Sequence, residues 1–407
     1  MLFWKNLSAR TLIVLINQIS IVIALPIVAI RLGIKDFGML SIAMIIFQVS
    51  FMLTEWGFGI PAIKETSDAN NKKDLVRMLF EVNLIKAIIL FFIIGILYLL
   101  QLSNILNFSN QSLLYSLVFA VTAGAFNPLW YFQAIEQSQK LIMPSVIGRF
   151  LYLAIIFFLV LDYSSMHWVL TAQGLAYAIT TIWGLYFVMP CLKNVPKLNL
   201  NKLKKRFKDS IPFFFSGAII GQFHSIWGLF LISVAGPIEV AIFNLADQAL
   251  RAGGAFTNIL PEAFLLRRLS ERSGLKNNDR IKLAIFSLLF FSVVGLLATE
   301  LIISMFFGKS YLMAVNVIHV TIIIWLFLAV IKLLGYPLLG IRFGLNQVNN
   351  FNYIFLALNI FGIIFWVNSN NLTALFLAYF VLSICFIYLL ILLFLIKSNW
   401  IFRWIKP

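Results

Sequence analysis

The chain has 407 residues, of which 62% are hydrophobic and only 11% charged, and it carries a formal net charge of +16. This balance lies far from the average for soluble globular proteins and excludes a sizeable water-soluble domain. Its mean hydropathy of +0.97 is that of a chain built for lipid.

Twelve apolar runs are each long enough to cross a bilayer as a helix, which takes about 20 mostly apolar residues. In chain order they cover 9–30, 39–60, 83–100, 113–132, 141–161, 168–190, 211–235, 240–264, 281–306, 315–334, 351–367 and 372–396. The first lacks a small-residue cleavage site and is followed at once by another span, so it is expected to be a retained helix. The connections alternate between basic and nearly charge-free. One side holds Arg31, Lys35 and Lys309, while Lys86, Arg149, Arg251 and Lys332 fall inside spans. All the other Lys and Arg residues, of 31 in total, lie on the N-terminal side. The positive-inside rule therefore predicts that both termini are cytoplasmic. A basic excess in short loops facing an anionic leaflet needs no nucleic-acid partner, and membrane lipids are its expected neighbours. Cys191 and Cys385 lie on or near the reducing side, so no disulfide is expected.

The most basic connection, 193–208, leaves six spans on either side. The expected fold is all-α integral membrane, with twelve transmembrane helices in two six-helix bundles, 1–200 and 201–407. A short internal match supports the division. Gly33-Ile-Lys-Asp36-Phe-Gly38-Met-Leu40 corresponds in register to Gly236-Pro-Ile-Glu239-Val-Ala241-Ile-Phe243, with Thr54 matching Thr257 and a Pro closing each following helix at Pro61 and Pro261. An even number of spans per half makes this a parallel repeat about the membrane normal. Residues 198–207, where Leu203 and Phe207 sit i, i+4 among cations, read as an interfacial helix or a solvated basic loop. The tail 399–406 reads as an interfacial helix.

An ionisable group at bilayer depth costs about 2.5–3.5 kcal/mol on insertion scales and should face a cavity or a partner. Arg149 falls roughly 12 Å inside span five at 1.5 Å per residue, and Arg251 falls mid-way along span eight. Both are expected to point inward. Guanidinium forks suit a phosphate or diphosphate, although Asp247, four residues before Arg251, offers a structural ion pair instead. Snorkelling accounts for Lys332 and leaves Lys86 open between substrate and interface. Glu55 and Asp247 are candidates for proton or Na+ coupling, with charge balance for the arginines as the alternative; Glu300 lies nearer the far end of its span. His224, with Gln222 nearby, and Asn17 and Gln18 can hydrogen-bond sugar hydroxyls or other helices. His167 and His319 have no companions at metal-ligand spacing. No nucleophile, paired-acid or Gly-rich phosphate motif is present, so neither an enzyme, a metal nor a cofactor is expected.

Asn127-Pro-Leu-Trp130-Tyr-Phe-Gln133-Ala-Ile-Glu136, followed by Arg149 within Ile147-Gly-Arg-Phe150, resembles the polysaccharide-export and O-antigen flippase family. That family ends its fourth span in Pro-x-Trp-x-x-Gln-Gly-x-Glu and carries an Arg early in the fifth. Pro128, Trp130, Gln133 and Glu136 match the pattern, and Ala134 replaces its usual Gly. The resemblance implies a MATE-like, two-bundle transporter of the multidrug, oligosaccharidyl-lipid and polysaccharide exporter superfamily. It also implies an undecaprenyl-diphosphate-linked oligosaccharide as substrate, moved between leaflets of the bacterial inner membrane by rocking of the two halves. Arg149 and Arg251 would hold the diphosphate, and a polysaccharide polymerase is an implied partner. A multidrug antiporter is the main rival, which inward-facing cations argue against. A polymerase or ligase would require a large periplasmic loop, and the connections on that side span about a dozen residues or fewer. The sequons at Asn107 and Asn110 raise a eukaryotic flippase, an idea the bacterial resemblance outweighs.

Overall fold

Lipid offers a backbone no hydrogen-bond partner, so each spanning segment must satisfy its own N–H and C=O groups, and a helix does so within one segment. The computed structural model describes residues 2–59, 61–62, 65, 72–103, 106, 108, 111–189, 200–257, 278–335, 339, 345–369 and 372–397, and these contain helices and turns but no strand. The tail 399–406, the sequons at Asn107 and Asn110, Cys191, Pro261 and most of the basic loop 265–280 lie outside the described residues.

Every predicted span contains a helix. Helix α1 (Leu2–Glu55) holds the first two runs and turns between them at Gly33, whose φ of 74° and ψ of 165° break helical geometry at one residue. Only glycine adopts such a conformation without strain. The next helices are α2 (Lys72–Leu102), α3 (Gln111–Ala125), the short α4 (Leu129–Ala134), α5 (Ile142–Leu159) and α6 (His167–Val188). They are followed by α7 (Leu200–Val234), α8 (Pro237–Thr257), α9 (Asn278–Phe306), α10 (Ala314–Leu334), α11 (Leu345–Val367) and α12 (Ala374–Lys397). Span four is thus two helices. Pro128 cannot donate into a continuing helix, and the Asn127 side chain accepts the Leu129 N–H at 3.0 Å to restart the chain as α4.

Among the described residues, eight helical segments are long and apolar enough to cross a membrane, and one of them, Ala9–Glu55, accounts for two predicted runs. Helices α6, α7 and α8 fall outside that set, α7 giving only the shorter apolar stretch Phe223–Val234 among the described residues. Thr171, Gln173 and Thr180 dilute α6, and Asn244, Asp247, Gln248 and Arg251 dilute α8, so the polar content that weakens the membrane signal is the content from which the candidate sites are made.

The chain divides into two compact units, Met1–Ala218 and Ile219–Pro407, with the division inside α7. In the first unit α6 packs between α3 and α5, and α1 packs on α2, α3 and α5. In the second, α10 packs on α8, α9 and α12, while α11 lies on α12.

The basic segment 198–207 is neither a separate interfacial helix nor a solvated loop. From Leu200 it is the first part of α7, and Leu203 and Phe207 pack on an apolar cluster that includes Phe58, Leu79 and Trp130. An amphipathic face fits protein as well as lipid, and here it found protein. Trp56 stacks between Phe207 and Phe214, with ring centroids 4.8 and 4.4 Å away. Arg206 joins the buried Glu81 at 3.1 Å and also pairs with Glu65, while Arg77 holds the other oxygen of Glu81 at 2.8 Å. The start of α7 is therefore fixed to the first unit by stacked rings and by a chain of alternating charges.

Gly57 makes that contact achievable. Its φ is 67°, and a Cβ placed there would lie 2.5 Å from the Phe214 backbone nitrogen. Gly57→Ala is expected to cost about 1–3 kcal/mol from backbone strain alone, with the clash added. A thermal melt of the detergent-solubilised protein reads the loss; an unchanged melting temperature would show that α7 is not seated on residue 57.

Candidate functional site

Among the described residues, Lys86, Arg149, Arg251 and Lys332 fall inside spans, and their surroundings differ. Lys86 on α2 is fully buried; its Nζ donates to Glu55 Oε1 at 2.7 Å and lies 5.7 Å from the Trp130 ring centroid. Sequence left Lys86 open between interface and substrate and Glu55 between coupling and charge balance. The two are partners, brought together from helices 31 residues apart in sequence. Trp130, the central aromatic of the Asn127–Glu136 motif, forms the platform beneath them, and its indole Nε1 has no hydrogen-bond partner among the described residues. Pro128 ends α3, and the Gln133 carbonyl accepts the N–H of Glu136, an exposed residue whose φ of 56° turns the chain toward α5.

Arg251 on α8 donates from Nε to Asp247 Oδ2 at 2.8 Å and also bonds Ser225. His224 Nδ1 contacts the other oxygen, Asp247 Oδ1, at 3.0 Å, and its ring stacks on Phe243 at 4.6 Å. Lys332, near the end of α10, lies within electrostatic reach of Arg251. Asp247 sits at the i, i−4 position that sequence offered as its neutralising role.

Arg149 on α5 is 3% exposed. Its Nε donates to Asn17 Oδ1 at 2.7 Å and its Nη1 to Gln173 Oε1 at 2.8 Å, and its guanidinium carbon lies 5.5 Å from the centroids of both Tyr152 and Tyr177. Among the described residues no carboxylate stands within ion-pair distance of it. A lone cation in an apolar bundle is costly, but two hydrogen bonds from a charged donor, each worth about 1.5–3 kcal/mol, and two aromatic faces hold it without neutralising it.

Local sequence builds this cradle. Gly148 lets α5 approach α6 so closely that a Cβ would lie 2.9 Å from the Ala176 carbonyl oxygen. Small residues at helix contacts are the usual means of such approach in lipid. One turn from Ala176 sits Gln173, one residue from Gly148 sits Arg149, and the pairing follows. Phe51 stacks on Tyr177 at 5.7 Å and fixes that ring. Beside the guanidinium, Asn17, Asn127, Ser145, Arg149, Tyr177 and Thr180 line a hollow with room for about one water.

Asn17 therefore serves as an interhelical acceptor for Arg149. Gln18 Nε2 is buried with no hydrogen-bond partner among the described residues. Glu300 is exposed on α9. Sequence reasoning missed Gln173 and Tyr177, and it missed Glu81 because the start of span three was set beyond it. A lone Gln in an apolar run is the same signal that singled out Asn17, and it would have found Gln173.

Residues 3–265 match the family described as "Polysaccharide biosynthesis protein". A protein of Escherichia coli strain K12 named as an O-antigen transporter is 23% identical over 315 residues, 75% of each chain. Among solved structures, lipid II flippase MurJ in an inward closed conformation superposes with a TM-score of 0.68 at 14% identity, covering 98% of this chain and 87% of that one. An outward-facing multidrug resistance MATE family transporter of the MOP superfamily gives a TM-score of 0.51 at 12% identity over 95% and 93% of the two chains. The fold is the one these proteins share. With the family match extending over most of its length, this multi-pass membrane protein belongs to the polysaccharide biosynthesis protein family.

Proposed function

We propose that this protein is a transporter rather than an enzyme, and that it moves an undecaprenyl-diphosphate-linked oligosaccharide, a surface-polysaccharide repeat unit, from the cytoplasmic to the periplasmic leaflet of a bacterial inner membrane. The observation that carries this reading is Arg149: a buried guanidinium held by amides and tyrosines, with no carboxylate to neutralise it among the described residues. A diphosphate is the natural complement, because a planar fork donates paired hydrogen bonds to phosphate oxygens and stays charged at any physiological pH. Asn127, Ser145 and Thr180 beside it offer the neutral donors and acceptors that sugar hydroxyls need. The family match and the relative named as an O-antigen transporter support the substrate class.

In this proposal the hollow at Arg149, sized for a water, opens during an alternating-access cycle to admit the headgroup while the polyprenyl chain stays in lipid. The basic connections face the cytoplasm, and with them both termini. The flipped product is the substrate that a polysaccharide polymerase would then elongate. A lipophilic cation is a poor cargo for a site whose own charge is positive at bilayer depth, which weighs against the multidrug antiporter.

Deleting the gene is expected to leave lipid-linked repeat units synthesised but held on the cytoplasmic leaflet. Complementation with Arg149→Ala should cut export at least about tenfold, the effect of losing one charge-assisted contact of roughly 1.5–3 kcal/mol. Arg149→Lys should recover only part of it, because a point charge replaces a fork. Lys204→Ala, on the exposed face of α7, should export normally. Membrane levels of each variant are compared by immunoblot, and full export by Arg149→Ala at normal abundance would end the diphosphate assignment.

A carboxylate introduced into the cradle provides an independent check. Asn17→Asp places a negative charge at the acceptor now 2.7 Å from the guanidinium. It is expected to keep the protein folded, with a melting temperature at or above wild type, while export falls because the cation is already occupied. Export at the wild-type rate by Asn17→Asp would mean that Arg149 does not grip an anion.

A further inference from the structure

The hollow beside Arg149 is chemically one-sided. The side-chain amide oxygens that meet there are engaged: Asn17 Oδ1 accepts from Arg149 Nε at 2.7 Å, Gln173 Oε1 accepts from its Nη1 at 2.8 Å, and Asn127 Oδ1 accepts the Leu129 N–H at 3.0 Å. The Thr180 hydroxyl gives its proton to the Ala176 carbonyl at 3.1 Å. What remains is chiefly donors. Arg149 Nη2, the amide nitrogens of Asn17 and Asn127 and the Ser145 hydroxyl make no hydrogen bond among the described residues, and all four residues line the hollow. Arg149, Ser145 and Asn127 are buried, so bulk solvent hardly reaches them.

An unmet donor in such a place is costly, and most so on a charged group. The occupant that suits the hollow must therefore accept hydrogen bonds, and it must be small, because there is room for about one water. A metal cation is repelled by the guanidinium. A water accepts, but it brings two O–H bonds of its own to a lining whose amide oxygens are already engaged. A polyatomic anion such as sulfate exceeds the space. A monatomic anion accepts from every direction, is close to a water in size, and cancels the charge that no carboxylate cancels among the described residues. Ile13, Leu129 and Ala176 complete the wall, and their apolar atoms suit a weakly hydrated halide.

We propose that this hollow is a binding site for one monatomic anion, chloride in the cell, held by the free donors of Arg149, Asn17, Asn127 and Ser145. The halide serves as the counter-ion of Arg149 while no headgroup is engaged. A carboxylate built into the chain would neutralise the guanidinium permanently, whereas a free halide leaves to water when the hollow opens. Arg149 then exchanges one anion for another and is never left as a bare charge in an apolar bundle. Chloride and a diphosphate are accordingly competitors for the same guanidinium, and only this competition rests on the flippase reading.

Thermal melts of the full-length protein in detergent test this, with sodium held constant and gluconate replaced stepwise by chloride or bromide. A ligand that binds the folded state raises the melting temperature along a saturation curve, and both halides are expected to do so. Asn17→Asp supplies an internal counter-charge and keeps the fold, and it should raise the half-saturating chloride concentration at least about tenfold, the scale of losing one charge-assisted contact. Arg149→Gln should do the same. Lys204→Ala, which removes a surface cation, should respond as wild type does. A wild-type melting temperature that ignores chloride and bromide overturns the proposal, and so does a saturable rise of the same midpoint in Asn17→Asp. A halide response lost in Asn17→Asp, in a protein that moves no lipid-linked glycan, would remove the flippase reading and leave the anion site standing.

Discussion

A positive charge held inside an apolar bundle without a negative one beside it is the constraint around which the first unit is arranged. Arg149 cannot be solvated by lipid and, among the described residues, is not paired with an acid, so neighbouring helices must supply its environment. Helix α1 contributes Asn17 and α6 contributes Gln173 and Tyr177, while α5 itself contributes Tyr152. The close approach at Gly148 is what brings α6 within reach. Each of these partners lowers the cost of the charge, and none cancels it.

Two other buried cations show what cancellation looks like. Lys86 and Glu55 form a tight pair over the Trp130 ring, and Arg251 has Asp247 one turn away. A paired cation gains little from a further anion, because the incoming group must first displace a carboxylate already in place. An unpaired one gains the full interaction. Buried ion pairs contribute little net stability, since desolvation offsets much of the attraction, although breaking one is costly. The Lys86 pair is therefore better understood as fixing the junction between α1, α2 and α4 than as holding the unit together.

The helices were legible because lipid imposes a single solution on the backbone, and length with apolarity suffices to find it. Their interruptions were less so. The turn at Gly33 needed no loop, and Asn127 with Pro128 split one predicted span into two helices. Arg149 and the Asp247–Arg251 spacing could be read directly, since a charge in an apolar run and an i, i+4 pair are both local signals. The Lys86–Glu55 pair was not readable as a pair, because no local rule joins residues on different helices. The start of α7 was misjudged for a related reason: a periodic apolar face says that something will cover it without saying what. Trp56, which covers it, lies in a turn whose left-handed backbone, like that of Gly57, gives no periodic trace in sequence.

Charge distribution within each unit narrows the kind of cargo the fold can carry. With Lys86 and Glu55 neutral as a pair, the first unit presents one positive charge at depth, surrounded by hydroxyls and amides. In the second, Asp247 lies against both Arg251 and His224. A cationic cargo would meet repulsion at Arg149, strengthened by the low dielectric around it. A neutral glycan alone would leave that centre unmatched throughout its passage. An anionic headgroup joined to a polyhydroxylated chain meets both conditions, and it does so without any residue having to change its charge in the first unit.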